Sequence, residues 1–428
     1  MQQIKQEGCN LEAEMIKCIR CGACQAVCPI FKEIGVESYT ARGKVRLLRA
    51  VQEGLLPVNQ EIERLLSHCL LCSACVNSCP AGVKTNEIVE AGRTLVVNRR
   101  GLPLLKRVIF NLGLKNRKIF NSFMALLPGL QRFCFRRVPG VGGMLPRYPL
   151  GLDQRRLLHP VASRSFRNGC LERVRAEKPR QGKVALFTGC MANFLYPETA
   201  EAAVKVLTAN GLDVIIPRNQ HCCGTPARVS GDRAAAKEMA RINVDEFASL
   251  PEPVDAIIVL CGSCGTALKK EIPVLLAGDP VYEAKARAMA DQVRDIAEFI
   301  VTLPSWRQPI QRPLKGRVTY HDPCHLGRGQ GITAQPREIL RAIPGLEYVE
   351  LPRSQACCGC AGTFSASHYD LSLQITQRKM ADIESVGAEW VATGCSACRM
   401  QMEDGLNQAG RKVKVRHTIE LLWESYRQ

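Results

Sequence analysis

From residue 181 onward, apolar residues come in short β-branched runs separated by longer stretches of helix formers. KVALFTGC (183–190), LDVIIP (212–217) and AIIVLCGSC (256–264) read as buried strands, and so do RVTYHDPC (317–324), LEYVELP (346–352) and EWVATGCSAC (389–398). Between them, stretches such as 232–250 and 370–385 predict helices. Strands alternating with helices predict α/β units with largely parallel sheets. Upstream, TARGKVRLLRAVQEG (40–54) predicts a helix stopped at Gly54. In residues 99–180, Leu, Ile and Phe mix with Lys and Arg, which predicts one or two short amphipathic helices followed by a Pro/Gly-rich linker, VPGVGGMLPRYPLG (138–151). No apolar run approaches the ~18–20 residues of a membrane-spanning helix.

The strand-like runs of the C-terminal half form two copies of one pattern. The first holds Cys190, the doublet Cys222–Cys223, then Cys261 and Cys264; the second holds Cys324, Cys357–Cys358, Cys395 and Cys398. The offset is 134 or 135 residues at every position. Each cysteine group follows the C-terminal end of a predicted strand, the edge where ligands gather in such sheets. Five thiols are therefore expected to converge at one rim of each repeat.

Composition sharpens the chemistry. The chain has 428 residues and 22 cysteines, too long to need disulfide staples. The N-terminus, MQQIKQEGCNLEAEM, has no apolar signal core. The expectation is a cytoplasmic protein whose clustered thiols serve metal or redox chemistry. Residues 10–98 carry CIRCGACQAVCP and CLLCSACVNSCP, both C-x2-C-x2-C-x3-C-P, the ferredoxin run for [4Fe–4S] clusters. The fourth cysteine of such a run ligates the other cluster. One cubane cluster is thus assigned to Cys18, Cys21, Cys24 and Cys79, and the other to Cys69, Cys72, Cys75 and Cys28. Zinc is the alternative, but zinc sites rarely show this spacing twice.

The net charge of +18 is uneven. Arg99 to Arg175 holds seventeen Lys and Arg against only Asp153 and Glu172, leaving about +3 for the remainder. A basic amphipathic segment suits an anionic membrane surface, where each basic side chain contributes roughly 1 kcal/mol; a connector packed on its neighbours is the other reading. No nucleic-acid motif accompanies the charge, so no nucleic acid is expected.

At HCCG (221–224) and CCGCAGTFSASHYDLSLQITQRKM (357–380) the sequence resembles the CCG-type cysteine-rich domain. That domain occurs in heterodisulfide reductase and in the iron–sulfur subunits of glycolate oxidase, anaerobic glycerol-3-phosphate dehydrogenase and lactate-utilisation systems. Two ferredoxin runs, a basic connector and two CCG repeats in one chain are most similar to the glycolate oxidase subunit. The resemblance implies that Cys190, Cys222, Cys223, Cys261 and Cys264, and likewise Cys324, Cys357, Cys358, Cys395 and Cys398, hold non-cubane [4Fe–4S] clusters, one or two in all. Both repeats are complete, whereas some relatives have an incomplete first repeat.

The expected fold class is α+β and multidomain. Residues 1–98 would form an α-helical ferredoxin domain, 99–180 a basic connector able to serve as a membrane or docking segment, and 181–310 and 311–428 two α/β CCG subdomains. Gly224 and Gly359 would let the backbone approach a cluster, or serve as turn glycines. His221, His321 and His325 would tune a cluster or play structural parts, and Asp322 would cap its loop. Cys9, Cys134, Cys170 and Cys360 are expected to be ordinary thiols, with Cys360 close to a cluster. GVGG (140–143) follows no strand and is not a nucleotide fingerprint.

Without a hydride-handling cofactor, substrate oxidation is expected on a partner, an FAD-containing glycolate or D-lactate dehydrogenase. Its electrons would pass to a quinone or another acceptor, at the inner face of the cell membrane if the basic segment binds there. The alternatives are a heterodisulfide reductase-like subunit whose own clusters reduce a disulfide or other terminal acceptor, and a zinc-bearing structural or nucleic-acid-binding protein.

Overall fold

A computed structural model describes residues 11–426 apart from 141, 150, 178 and 311; Cys9 and the rest of the first ten residues lie outside the described residues. Among the described residues eleven strands follow one another: β1 (Phe135–Arg137), β2 (Met144–Pro146), β3 (Arg173–Val174), β4 (Gly182–Phe187), β5 (Leu212–Ile215), β6 (Ala256–Val259), β7 (Val293–Asp295), β8 (Gly316–His321), β9 (Leu346–Tyr348), β10 (Trp390–Thr393) and β11 (Lys414–His417). The first repeat forms a sheet of order β3-β5-β4-β6-β7, parallel except for the edge strand β3. The second forms an all-parallel sheet of order β9-β8-β10-β11. The two orders coincide once β3 is set aside. β5 and β6 are buried throughout because helices cover both faces of the sheet. The expected α/β repeats with largely parallel sheets are thus present.

The repeats meet along their C-terminal strand edges. The N–H of Gly262 donates to the carbonyl of Gly394 at 2.9 Å, and the sulfurs of Cys261 and Cys395 lie 3.5 Å apart. Those two cysteines are equivalent under the 134-residue offset. Equivalent positions of two facing copies touch only where a local two-fold relates them. The flanking helices obey the same exchange. The helix Thr418–Tyr426, after β11, packs on Pro197–Ala209 of the first repeat, while Ile296–Ile300, after β7, packs on Ala334–Ala342 of the second.

The N-terminal region is helical. Ala41–Gln52, Gln60–Ser67 and Thr85–Arg100 enclose a core of Val45, Leu48, Ile62, Leu66, Ile88 and Val89. Thr40 and Asn59 cap the first two helices by accepting from the N–H groups of Gly43 and Ile62. This region lies against both repeats. Half-buried Arg93 donates to the carbonyls of Leu66, Cys69 and, at 2.6 Å, Val229 of the first repeat. Arg328 of the second repeat donates to the carbonyl of Cys72 at 3.0 Å, and Arg378 pairs with Glu33 at 2.7 Å.

The connector departs from expectation. Arg117–Cys134 is one helix of 18 residues with Pro128 inside it, and β1 pairs antiparallel with β2. Within the Pro/Gly cluster read as linker, Met144–Pro146 is β2, and the N–H of Val138 donates to the carbonyl of Gly143 at 2.9 Å across the hairpin turn; turn residues punctuate hairpins and linkers alike. Farther on, the segment straps both repeats. Arg156 donates to Ser365 Oγ at 2.7 Å, the N–H of Leu157 to Asp404 at 2.8 Å, and Arg167 to the carbonyl of Gln220 at 2.6 Å.

His417 joins the repeats through a bond sensitive to acid. Its Nε2 donates to the carbonyl of Leu260 at 3.0 Å, and its Nδ1 accepts from the N–H of Ile419 at 3.2 Å. Burial holds its pKa down at about 4, against about 6.5 in the unfolded chain. The unfolded state therefore binds the extra proton between these values. The stabilising contribution is full above pH 6.5 and is lost as pH falls toward 4, by up to about 3 kcal/mol. His417→Gln is expected to flatten the difference in urea midpoint between pH 7 and pH 5 relative to the unsubstituted protein. An equal pH dependence in both would remove this role for His417.

Candidate metal centres

The two ferredoxin runs wind alike. Arg20 and Leu71, each just before the second cysteine of its run, have φ of 57° and 51°; Gly22 and Ser73, just after it, have φ of 84° and 57°. These left-handed turns fold the chain around the thiols. Pro29 then opens the helix Pro29–Ile34, leading the chain away. Cys18, Cys21 and Cys24 share a small cavity with Cys79, and Cys69, Cys72 and Cys75 share another with Cys28. Backbone N–H groups turn toward sulfur, from Leu71 to Cys69 at 3.5 Å and from Val83 to Cys79 at 3.4 Å. Buried Lys44 lines the second cavity, and burial lowers its pKa. An ammonium there offsets thiolate charge.

In the repeats, each cysteine follows a strand end. Cys190 comes after β4 and Cys324 after β8, while Cys261 and Cys395 come after β6 and β10 and precede the helices Gly262–Thr266 and Ser396–Gln408. The doublets lie in the loops after β5 and β9. The sulfurs touch in series. Cys190 contacts Cys222, and Cys223 contacts Cys264, which contacts Cys261. In the second copy Cys324 contacts Cys357, and Cys358 contacts Cys398, which contacts Cys395. All ten thiols line one cavity of about 300 Å³. The sequence foretold two rims; the fold merges them into one chamber. Cys72 of the second ferredoxin run touches Cys357 and so joins the line.

Such a chamber suits iron and sulfide. The 21 described cysteines are all free thiols. Thiol neighbours hold Cys223, Cys358 and Cys395 well below the thiol range, while hydrogen bonding to Cys190 and Cys223 pushes Cys222 up. Protons are shared along a packed row in which full ionisation needs a metal cation. Soft thiolate sets of this size select iron–sulfur groups.

The glycine after each doublet is required by geometry. Gly224 and Gly359 have φ of 84° and 91°, and a Cβ on Gly359 would lie 2.6 Å from the carbonyl oxygen of Ser372. The doublet carbonyls are held from the following helices, Cys222 by Asn243 Nδ2 at 3.0 Å and Cys358 by Thr376 Oγ1 at 2.8 Å.

Of the histidines, His321 is buried at the end of β8 beside Cys358 and Cys398. His325 Nδ1 lies 3.5 Å from Cys324 Sγ, and His221 is buried beside Cys222. Asp322 binds Arg337 at 2.7 Å instead of serving only as a loop cap. Cys360 lines the chamber, its thiol pushed up to about 12 by burial and then by Cys358. Sequence reasoning missed Lys44, Lys379 and Arg93, cations whose place beside the thiols only the fold reveals. Burial lowers the pKa of Lys379, beside the second doublet, to about 8.

Comparison with known proteins gives the same picture. Residues 184–269 and 318–403 each match the cysteine-rich (CCG) domain model, and residues 14–83 match the 4Fe-4S dicluster domain model. The chain is 31% identical over 425 residues to the probable glycolate oxidase iron–sulfur subunit of Bacillus subtilis, covering 97% of this chain and 94% of that one. It is 29% identical to the glycolate oxidase iron–sulfur subunit of Escherichia coli, covering 98% of this chain and 97% of that one. It is also 27% identical to a subunit of the fumarate reductase (CoM/CoB) of Methanothermobacter marburgensis, covering 100% of this chain and 75% of that one. A crystal structure of a hypothetical protein from Helicobacter pylori shares the fold, with a TM-score of 0.51 and 8% identity over 90% of this chain and 68% of that one.

Gly359→Ala is expected to cost about 2 kcal/mol or more, since left-handed strain adds to a backbone collision, and to lower bound iron. Gly410→Ala, at φ 65° with nothing within 4 Å of the added carbon, should cost about 1 kcal/mol and keep its iron. Urea midpoints and iron per chain read both, and equal losses would contradict the collision.

Proposed function

The chain belongs to the family of glycolate oxidase iron–sulfur subunits, and from that membership we propose that it carries electrons from an FAD-containing 2-hydroxy-acid dehydrogenase, acting on glycolate or D-lactate, to a quinone or another acceptor. The proposed holders of two cubane [4Fe–4S] clusters are Cys18, Cys21, Cys24 and Cys79, and Cys28, Cys69, Cys72 and Cys75. Each complete five-cysteine set of the repeats holds a non-cubane [4Fe–4S] cluster. When bound, such clusters supply one-electron redox sites. The observation that carries this reading is the line of thiols: Cys72 reaches Cys357, the second set reaches the first through Cys395 and Cys261, and the line ends at Cys190. At its other end Cys21 is exposed, with Ile16 and Ile19 at 58% and 67% exposure beside it. This small apolar rim suits docking of a redox partner.

The connector gives the acceptor side. Ile119, Phe123, Leu126, Leu130 and Phe133 recur at spacings of four and three along Arg117–Cys134 and are 49% to 76% exposed. No acid occurs from Arg99 to Leu152. An apolar stripe on a segment that carries no acid of its own fits an anionic membrane surface, on which the chain would lie. No helix among the described residues is long and apolar enough to cross a membrane. A second reading, terminal disulfide reduction by the chain itself, is favoured by the single chamber onto which both thiol sets open.

Coexpression with its flavoprotein should yield a complex in which glycolate or D-lactate bleaches the iron–sulfur absorbance. The isolated chain should not respond to either acid. Bleaching without a flavoprotein would end this reading, and turnover of a disulfide with an artificial donor would favour the second. Sedimentation with vesicles should require anionic lipid, and Phe123→Glu with Leu130→Glu should reduce it at least tenfold. Binding that persists in the double variant would exclude the helix as the contact.

A further inference from the structure

The two repeats match in cysteines, strand order and doublet glycines, yet their cavity walls differ at one position of direct consequence. His321 ends β8, three residues before Cys324; the equivalent position in the first repeat, three residues before Cys190, is Phe187. Both side chains are 1% exposed. Phe187 lies 6.0 Å from the ring of Phe247, in an apolar cluster that also includes Cys222 and Cys223. His321 occupies the corresponding place, but neither ring nitrogen finds a hydrogen-bonding partner among the oxygen and nitrogen atoms around it. The donor atoms within reach are sulfurs: a ring nitrogen of His321 and the Sγ atoms of Cys358 and Cys398 all lie within 4.8 Å of one another. A buried imidazole with only thiol sulfurs in reach costs free energy that a phenyl ring at the same place avoids. A metal held by the adjacent thiolates would satisfy it.

A second difference has the same sense. The buried ammonium of Lys379 donates to the carbonyls of Arg353 and Ser354, just before the second doublet. The corresponding helix position in the first repeat, set by the packing of Gly224 on Ala236 and of Gly359 on Ser372, is the neutral Asn243. The second site thus combines an imidazole and an ammonium where the first has a phenyl ring and an amide.

We propose that the two centres are built unequal, with His321 completing the second as a nitrogen ligand to iron, giving five thiolates and one imidazole there against five thiolates alone in the first. This rests on the reading that both sets hold iron. The imidazole is neutral and adds a ligand without changing the thiolate charge, while the buried ammonium of Lys379 offsets part of that charge at the second centre.

The test uses the full chain, purified without oxygen, with histidine labelled with nitrogen-15 against an unlabelled control. Pulsed EPR in each paramagnetic state should show histidine-nitrogen coupling of the size of direct ligation on one spin system. The coupling should vanish in His321→Phe and persist in His325→Gln. Phe187→His should add a second such coupling. Absence of ligation-sized coupling in the unsubstituted protein overturns the proposal whether or not any variant folds, and so does its survival in His321→Phe. Iron content unchanged by Cys357→Ser together with Cys395→Ser would remove the underlying reading, and the proposal with it.

Discussion

Ten thiols face one another across a single chamber, and the rest of the architecture answers that constraint. Thiols gathered so closely cannot all ionise without a cation, and they cannot all stay protonated if they are to bind one. The parallel sheets solve the placement problem, since a strand's C-terminal end is where a loop can deliver a side chain without breaking the ladder. Facing two such edges across a local two-fold doubles the donor set with no new element. The contact between Cys261 and Cys395 marks the seam.

The remaining parts hold this arrangement closed. The ferredoxin-like region is fixed by guanidinium groups that bond to main-chain carbonyls on both sides of each boundary, Arg93 toward the first repeat and Arg328 from the second. Arginine suits this task because its planar fork spans several acceptors and stays charged when buried. Two of the accepting carbonyls belong to Cys69 and Cys72. The bonds that join the domains therefore also orient the thiol-bearing loop.

Much of this was legible in the chain. Cysteine spacing has few physical explanations, and the repeat offset is arithmetic, so the thiol sets and the alternating elements could be read directly. Three features could not. The hairpin of β1 and β2 was concealed because Pro and Gly mark turns and linkers alike. The edge strand β3 is two residues long and leaves no periodicity. The merging of two rims into one chamber depends on how the repeats face each other, which residues distant in sequence decide. Lys379 and Arg93 became visible for the same reason: a lone cation in a helix carries no signal until its surroundings are known.

The exchanged helices also bear on synthesis. Thr418–Tyr426 is made after both sheets, yet it packs on Pro197–Ala209 of the first repeat, and β11 supplies the His417 bond to Leu260. A nascent chain emerging from the ribosome can complete its ferredoxin-like region early, but it cannot close the chamber until Thr418–Tyr426 has emerged. Until then, the five thiols of the first repeat lie open to solvent and oxidants. Maturation of the chamber is thereby tied to synthesis of the second repeat through Thr418–Tyr426.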